Sequence, residues 1–574
     1  MGSYILFDSS SGKKTLRYRN GRDIRIHSAH NPVEEAERST AEFQKGRSTH
    51  VIVIGLGLGY HLRAIREKYP DTAVAAVEKD NEPADLAREH CPENLHGIKL
   101  IRSLSDLSHF FDEIDMTSFR GVSYYFHRPS YQIHKEFYDG IVRDAARLVS
   151  SKVSDLLTRF EFEERWIKNI LGNIPRVFTS PAVKSLFGRF RGYPGIIVSA
   201  GPSLKKNARL LNKLRDRAVI VCVDTAALAL RRFNVRPHIT MTLDAQKHSL
   251  KHFLGLRGSD PLLLCDVVSL PDIARSWTGK IMLSTTSKYY TDSSGALKRE
   301  TTPLMDWIEK FIPEIGDIQS GGSVATSAFD LLLNMGCDPI ILTGQDLAYT
   351  GREIHCTGTH HNDEWLPKTT RFLNLDSINQ NVIRKRKIKY VESYGGKGKV
   401  ISDFVFDLYR GWFEDSAKKV SVAVVNATEG GALIRNTVEK PLSALCRELK
   451  PVRSEPDEIL EKILSQKAPE SSEKLLAAAE KAMEEIRSLE KSAKSCLEKN
   501  DFSEDVLDRL ESDDIAPILN PFLRKTKAYA SRLAGREETL AAVYRDIAAA
   551  CGKILPLLQR CVENLHKFTR PEYR

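Results

Sequence analysis

The sequence predicts an α/β protein in three parts: a Rossmann-like N-terminal domain, a doubly wound central domain and an α-helical C-terminal bundle. Three observations predict it. Apolar, β-branched runs alternate with helical patterns from His50 to Val425, and several are apolar at consecutive positions, as in parallel strands covered on both faces. Two of these runs pass straight into glycine turns that open helices. Beyond Pro451 the composition shifts to Ala, Leu, Glu and Lys, with apolar residues at spacings of three and four.

With 574 residues the chain has room for about three domains, each with its own core. Its 41% apolar and 28% charged residues are ordinary for a soluble globular protein. The net charge of +10 is modest at this length and suits an anionic substrate or surface as well as a solvated basic exterior. No basic-aromatic block marks a nucleic-acid module. The nine cysteines are scattered without a CxxC pair, which argues against zinc knuckles and a disulfide framework. The N-terminus has no apolar signal core, and no run reaches the length of a membrane span. Met1-Gly2 fails as a myristoylation signal because Leu6 stands where a hydroxyl residue is required. A cytoplasmic protein is expected, without nucleic-acid or membrane partners.

The N-terminal domain is placed at 1–174. His50 to Ile54 reads as a strand, Gly55-Leu56-Gly57-Leu58-Gly59 as a turn, Leu62 to Tyr69 as a helix and Ala73 to Val77 as a second strand ending on Glu78. Such a turn lets backbone N–H groups approach a phosphate, and Glu78 stands where a ribose hydroxyl is gripped. The spacing also suits S-adenosylmethionine, but no catalytic motif follows, so a structural role for the turn is preferred. Residues 148–174 read as a helical connector.

The central domain is placed at 175–450. Its strands are expected at Gly195–Val198, Ala218–Val223, Ile239–Leu243, Leu262–Val268, Ile281–Ser284, Pro339–Thr343 and Ser421–Val425. The C-terminal domain, 451–574, carries one helix through Leu476, Ala479, Met483, Ile486, Leu489, Ala493 and Leu497. A second stretch runs from Lys525 to Leu558, interrupted by Gly535, Gly552 and Pro556. Packing or oligomerisation is its expected role.

The second glycine turn concentrates the chemistry. Ser199-Ala200-Gly201-Pro202-Ser203-Leu204 follows a buried strand and precedes a helix expected from Lys205 to Leu214. Gly201 permits close backbone approach, Pro202 presets φ, and the Ser203 hydroxyl beside helix N–H groups suits a phosphate. Asp224-Thr225, Asp244 and Gly344-Gln345-Asp346 end further strands, where open α/β sheets bind ligands. Gly321-Gly322-Ser323 opens another helix, suited to a carboxylate or phosphate. His355, His360 and His361 follow Tyr349 in a turn-rich segment. Their spacing matches no helical metal pattern, so one histidine as acid/base or phosphate contact is preferred to a metal site.

With these motifs and Asn426-Ala427-Thr428-Glu429-Gly430-Gly431-Ala432 in order, the chain resembles the motility-associated factor (Maf) family. These are bacterial flagellin glycosyltransferases with a core called domain of unknown function 115. The resemblance spans most of the chain and is densest from Pro194 to Ile434. It implies transfer of a nonulosonic acid, pseudaminic or legionaminic, from its CMP form to Ser or Thr of flagellin. No tightly bound cofactor and no metal ligand are expected. The central domain is similar to bacterial sialyltransferases. By that likeness Gly201, Pro202, Ser203, Asp224, Thr225, Asp244 and Gln345 hold the cytidine monophosphate, and Gly322, Ser323 and Thr326 face the sugar carboxylate. Asp346 and Tyr349 lie near the leaving phosphate, and Asn426, Glu429, Gly430 and Gly431 line the site. A histidine with a pKa near neutral suits the general base that the acceptor hydroxyl needs. His355 is preferred, with Asp244 and Asp346 as alternatives.

Two other readings come from the same core. It resembles archaeal 6-hydroxymethylpterin diphosphokinases, which would use ATP and Mg²⁺ with Asp224, Asp244 and Asp346 as ligands; the long flanking domains disfavour this. The other is a non-catalytic flagellin-binding protein with a vestigial site.

Overall fold

The computed structural model describes residues 2–114, 119–256, 262–291, 296–466, 471–502, 504–530 and 537–567. These fall into two compact units, Met1–Glu161 with Tyr290–Lys298, and Phe162–Tyr289 with Arg299–Arg574.

The first unit opens with an antiparallel sheet that the sequence reading missed, β1 (Ser3–Asp8), β2 (Lys14–Asn20) and β3 (Arg22–Arg25). Its parallel sheet has the order β6 (Lys99–Ile101), β5 (Ala73–Val77), β4 (His50–Ile54), β7 (Val122–Phe126). The expected helix after the first glycine turn runs from Tyr60 to Lys68. Val51 to Ile54 are fully buried, as a strand covered on both faces requires.

The second unit is built on nine strands: β8 (Gly195–Val198), β9 (Val219–Val223), β10 (Ile239–Thr242), β11 (Leu262–Asp266), β12 (Ile281–Thr286), β15 (Asp317–Ile318), β16 (Ile340–Thr343), β19 (Val424–Asn426) and β20 (Val438–Glu439). All seven expected strands are present, and the missed ones, β15 and β20, are two-residue edge strands too short to show a pattern. Between them in the chain stand a ribbon, β13 (Lys288–Thr291) with β14 (Leu297–Glu300), and a hairpin, β17 (Ile388–Glu392) with β18 (Lys399–Asp403). The sheet order is β15-β12-β11-β10-β9-β8-β16-β19-β20, with parallel pairing throughout. From β8 the chain builds outward through β9 on one side, and β16 then extends the other. The order therefore reverses between β8 and β16, which opens a crevice at their carboxyl ends.

The C-terminal segment is helical, with helices Glu473–Lys499, Ala516–Ala530 and Glu537–Lys567. Leu476, Ala479, Met483, Ile486, Leu489 and Ala493 form the buried stripe that their spacing predicts. Gly552 and Pro556 lie inside the last helix rather than interrupting it, and Gly535 falls outside the described residues. These helices share one core cluster with the nine-stranded sheet. Glu163, 4% exposed, takes two hydrogen bonds from the Arg524 guanidinium, a bidentate pair. Asn169 and Asn173 donate to the carbonyls of Ala245, Val267, Val268 and Ser269, bracing the loops after β10 and β11. Among the described residues no helix is long and apolar enough to cross a membrane.

Candidate functional site

A cleft of about 240 Å3 lies at the reversal point of the nine-stranded sheet. Its floor is the set of loops that leave the strands: Ser199 to Pro202 after β8, Asp224 and Thr225 after β9, Gly344 to Ala348 after β16. Ser323, Val324 and Ala325, at the start of the helix Val324–Met335, form a second wall. Ile354, His355, Phe406 and Tyr409 complete it.

The Gly201-Pro202-Ser203 turn is held by Asp346. Ser203 Oγ donates to its carboxylate at 2.7 Å, Thr350 Oγ1 at 2.6 Å and the Ser203 N–H at 3.2 Å. Gly201 is required here because a Cβ would lie 2.1 Å from Asp346 Oδ1. Gly430 is required for the same reason against Ser203 Oγ. The helix expected from Lys205 to Leu214 is instead a single turn, Leu204–Asn207, followed by a 3-10 segment, Ala208–Leu214. Its N-terminus therefore supplies little dipole, and the Ser203 hydroxyl and amide are both engaged by Asp346.

The stronger anion cradle is the Val324 helix, which has twelve residues. Ser323 and Thr326 form a capping box, Ser323 Oγ accepting from Thr326 N–H and Thr326 Oγ1 accepting from Ser323 N–H. The first two helical N–H groups, of Val324 and Ala325, have no intrahelical acceptor, and both residues line the cleft.

Two buried carboxylates also line the cleft. Asp224 accepts from Thr225 N–H and Oγ1 on one oxygen and from Thr242 Oγ1 on the other. Burial raises the pKa of Asp224 and of Asp346 above the usual carboxylate value, against the pull of their hydrogen bonds. Both oxygens of each carboxylate are thus tied to the protein. His355 differs. Its ring stands beside the Ala200 backbone, whose carbonyl accepts from Cys356 N–H at 2.9 Å, and in its neutral form the ring keeps one nitrogen lone pair. Burial lowers its pKa to about 3, helped by His361 and His252, and its ring stacks on His361 with centroids 4.6 Å apart.

The cleft thus gathers Gly201, Pro202, Asp224, Thr225, Ser323, Gln345, Asp346 and His355 from the residues the sequence singled out. The others stand behind its walls. Tyr349 donates its hydroxyl to Asp403. Asp244 accepts from Gln246 N–H and lies 3.3 Å from His248. Gly322 packs beneath the Tyr409 ring, and Thr326 is turned into the cap. Asn426 accepts from Thr428 N–H, Glu429 accepts from Asn207 and Leu442, and Gly431 lies against the Asp346 backbone. The sequence reading missed Phe406 and Tyr409. Their signal is the aromatic series Phe406, Tyr409, Trp412 and Phe413 after the helix-capping Asp403.

The first glycine turn is filled from within. Glu78 accepts from Leu56 N–H at 3.0 Å and from Tyr138, and His27 Nε2 accepts from Leu58 N–H at 2.7 Å. Two of the turn amides that would meet a phosphate are thereby occupied. Among the described residues, the ring nitrogens of His27, His61 and His127 lie within 4.8 Å of one another. His61 and His127 stack face to face, 4.2 Å between centroids, so the set is packed as rings rather than opened around an ion. Asp224, Asp244 and Asp346 form no such group.

Residues 168–352 match the family model described as 6-hydroxymethylpterin diphosphokinase MptE-like. No curated protein matches the chain. Among solved structures, the Maf glycosyltransferase from Magnetospirillum magneticum AMB-1 aligns over 99% of this chain and 90% of its own, with a TM-score of 0.53 and 14% identity. The chain therefore matches the MptE-like family over residues 168–352 and, over nearly its whole length, is similar in fold to a Maf glycosyltransferase.

Proposed function

We propose that the protein is a glycosyltransferase that moves a nonulosonic acid from its CMP-sugar to Ser or Thr hydroxyls of flagellin. The observation that carries this reading is the cleft at the sheet's reversal point, which pairs unsatisfied helix amides with a partly exposed neutral histidine. The Val324 and Ala325 amides would receive the donor's phosphate or carboxylate. At 240 Å3 the cleft is smaller than the ~300–1,000 Å3 that encloses a drug-sized ligand, so the donor would extend to the rim.

In the proposed step the acceptor hydroxyl oxygen bonds to the anomeric carbon while the bond from that carbon to the phosphate oxygen breaks. CMP leaves as an anion, stabilised by amides and needing no proton. His355 takes the hydroxyl proton. The donor's negative charge would raise the His355 pKa from its low value in the empty cleft, strengthening the base when it is needed.

The diphosphokinase reading is favoured by the family match over residues 168–352. It asks Asp224, Asp244 and Asp346 to share Mg²⁺, whereas the three form no common cluster and two of them already hold protein groups through both oxygens. The deciding experiment is transfer of sugar mass to flagellin from CMP-linked nonulosonic acids, with His355→Gln as the variant. Transfer is expected to fall by about 10²–10⁴-fold while CMP binding is kept. Full transfer by the variant would remove His355 from the chemistry, and no transfer by the wild type with any such donor would contradict the function.

A further inference from the structure

The hairpin β17–β18 carries a surface that the cleft does not use. Arg384 through Tyr390 are exposed without interruption, in the order Arg-Lys-Arg-Lys-Ile-Lys-Tyr. Lys389 pairs with Asp407, whereas Arg384, Lys385, Arg386 and Lys387 form no ion pair among the described residues. Apolar groups lie among these cations. Tyr390 is 63% exposed and Ile388 46%, and the register that sets Ile388 opposite Asp403 brings the exposed Phe404 and Val405 alongside them.

The backbone here is open at one position, beside an end already covered by the Ser393–Ala432 bridge. Ser393 N–H donates to Gly398 across the hairpin end, so the ladder continues through Val391 and Lys389. Ile388, Tyr390 and Glu392 then direct their N–H and C=O outward. Glu392 O is taken by Leu433 N–H, and Ile388 N–H by Arg386 O. Tyr390 is left as an unpaired edge position among the described residues.

The surface adjoins the cleft. The outer edge of β18 is tied to the loop after β16 by Tyr349 N–H to Ile401 O and by Ser402 Oγ to Leu347 O. Leu347 is itself a cleft residue, as is Phe406, which directly follows the exposed Phe404 and Val405.

We infer that the outer edge of β17, with the four unpaired cations that precede it at the end of the helix Leu375–Arg384 and in the following loop, and with flanking apolar side chains, docks an extended polypeptide rich in carboxylates and leads it to the cleft. An open strand edge offers backbone hydrogen bonds that a polypeptide can use and a lipid surface or nucleic acid cannot. The cations select acidic side chains, and alternate residues of the added strand meet Ile388 and Tyr390. The inference rests on the reading of the cleft as acting on a protein hydroxyl.

The test is fluorescence anisotropy of the full-length protein with a labelled synthetic peptide of alternating glutamate, valine and threonine, without nucleotide. Binding is expected, weakened about tenfold by Lys385→Glu/Lys387→Glu and lost when lysine replaces glutamate in the peptide. Tyr390→Pro and Tyr390→Thr both remove the ring, and only the proline removes the outward N–H as well, so Tyr390→Pro should bind several-fold more weakly than Tyr390→Thr. Equal binding by the charge-reversed variant, equal binding by the proline and threonine variants, or binding of phosphatidylglycerol vesicles but not the peptide would overturn the inference. Thermal shift with CMP, run on the same proteins, separates the two readings. A CMP shift without peptide binding contradicts the docking surface alone, and peptide binding without a CMP shift contradicts the donor reading alone.

Discussion

Asp346 is the side chain on which the cleft floor depends. Its carboxylate holds Ser203 and Thr350, and its backbone lies under Gly431. Gly201→Ala would drive a Cβ into that carboxylate at 2.1 Å, with the Gly344 carbonyl 2.4 Å away on the other side. A buried clash of this kind typically costs about 1–3 kcal/mol. The Gly201→Ala protein is therefore expected to melt lower and to lose nucleotide binding together, as read by thermal unfolding with and without CMP; unchanged binding would show that the turn does not shape the site. The Gly-Pro-Ser motif was legible as a site from its place after a buried strand. Its role was not, because a sequence shows that Ser203 can meet an anion but not that the protein's own Asp346, 143 positions away, already occupies it. For the same reason Tyr349, Thr326 and Glu429 read as ligand groups although their hydrogen bonds go to Asp403, Ser323, and Asn207 and Leu442.

Among elements, the strands were the most legible, because continuous burial writes a continuous apolar run such as Val219 to Val223. The short helix after Ser203 was the least, since its Lys-Leu pattern fits α and 3-10 geometry alike. The first glycine turn is an element with a measurable signature. His27, His61 and His127 are buried neutral beside it; burial lowers His61 to about 4 and His27 and His127 well below the ordinary value. Their neutral forms stabilise the fold fully above the unfolded-state pKa of about 6.5, and that contribution is lost as pH falls from there through the folded values. Below pH 6.5 each histidine steepens the loss of stability by up to about 1.4 kcal/mol per pH unit. Chemical denaturation of residues 1–161, followed between neutral pH and pH 4.5, should show this slope, and His61→Phe should flatten it. A slope unaltered by His61→Phe would mean that the cluster is not what titrates.

At the scale of the whole molecule, the change of composition at Pro451 reads as a domain boundary, yet the helices beyond it share the core of the nine-stranded sheet. Composition reports what an element is made of, not which neighbour buries its apolar face. Removing 451–574 is therefore expected to leave the central sheet unable to fold, seen as loss of a cooperative melting transition; a stable, cooperatively melting 1–450 fragment would contradict a shared core. Deletion exposes buried groups such as Glu163, whose partner Arg524 goes with the tail. The central claim, that the cleft at the sheet reversal holds a cytidine-activated donor, is tested most directly by thermal-shift titration of the intact protein with CMP and with ATP, each with and without Mg²⁺. Saturation at one hundred times Kd stabilises the folded state by about 2.7 kcal/mol. A shift with CMP that does not require Mg²⁺ and is lost in Gly201→Ala is expected. A shift with ATP that appears only with Mg²⁺, and none with CMP, would contradict it.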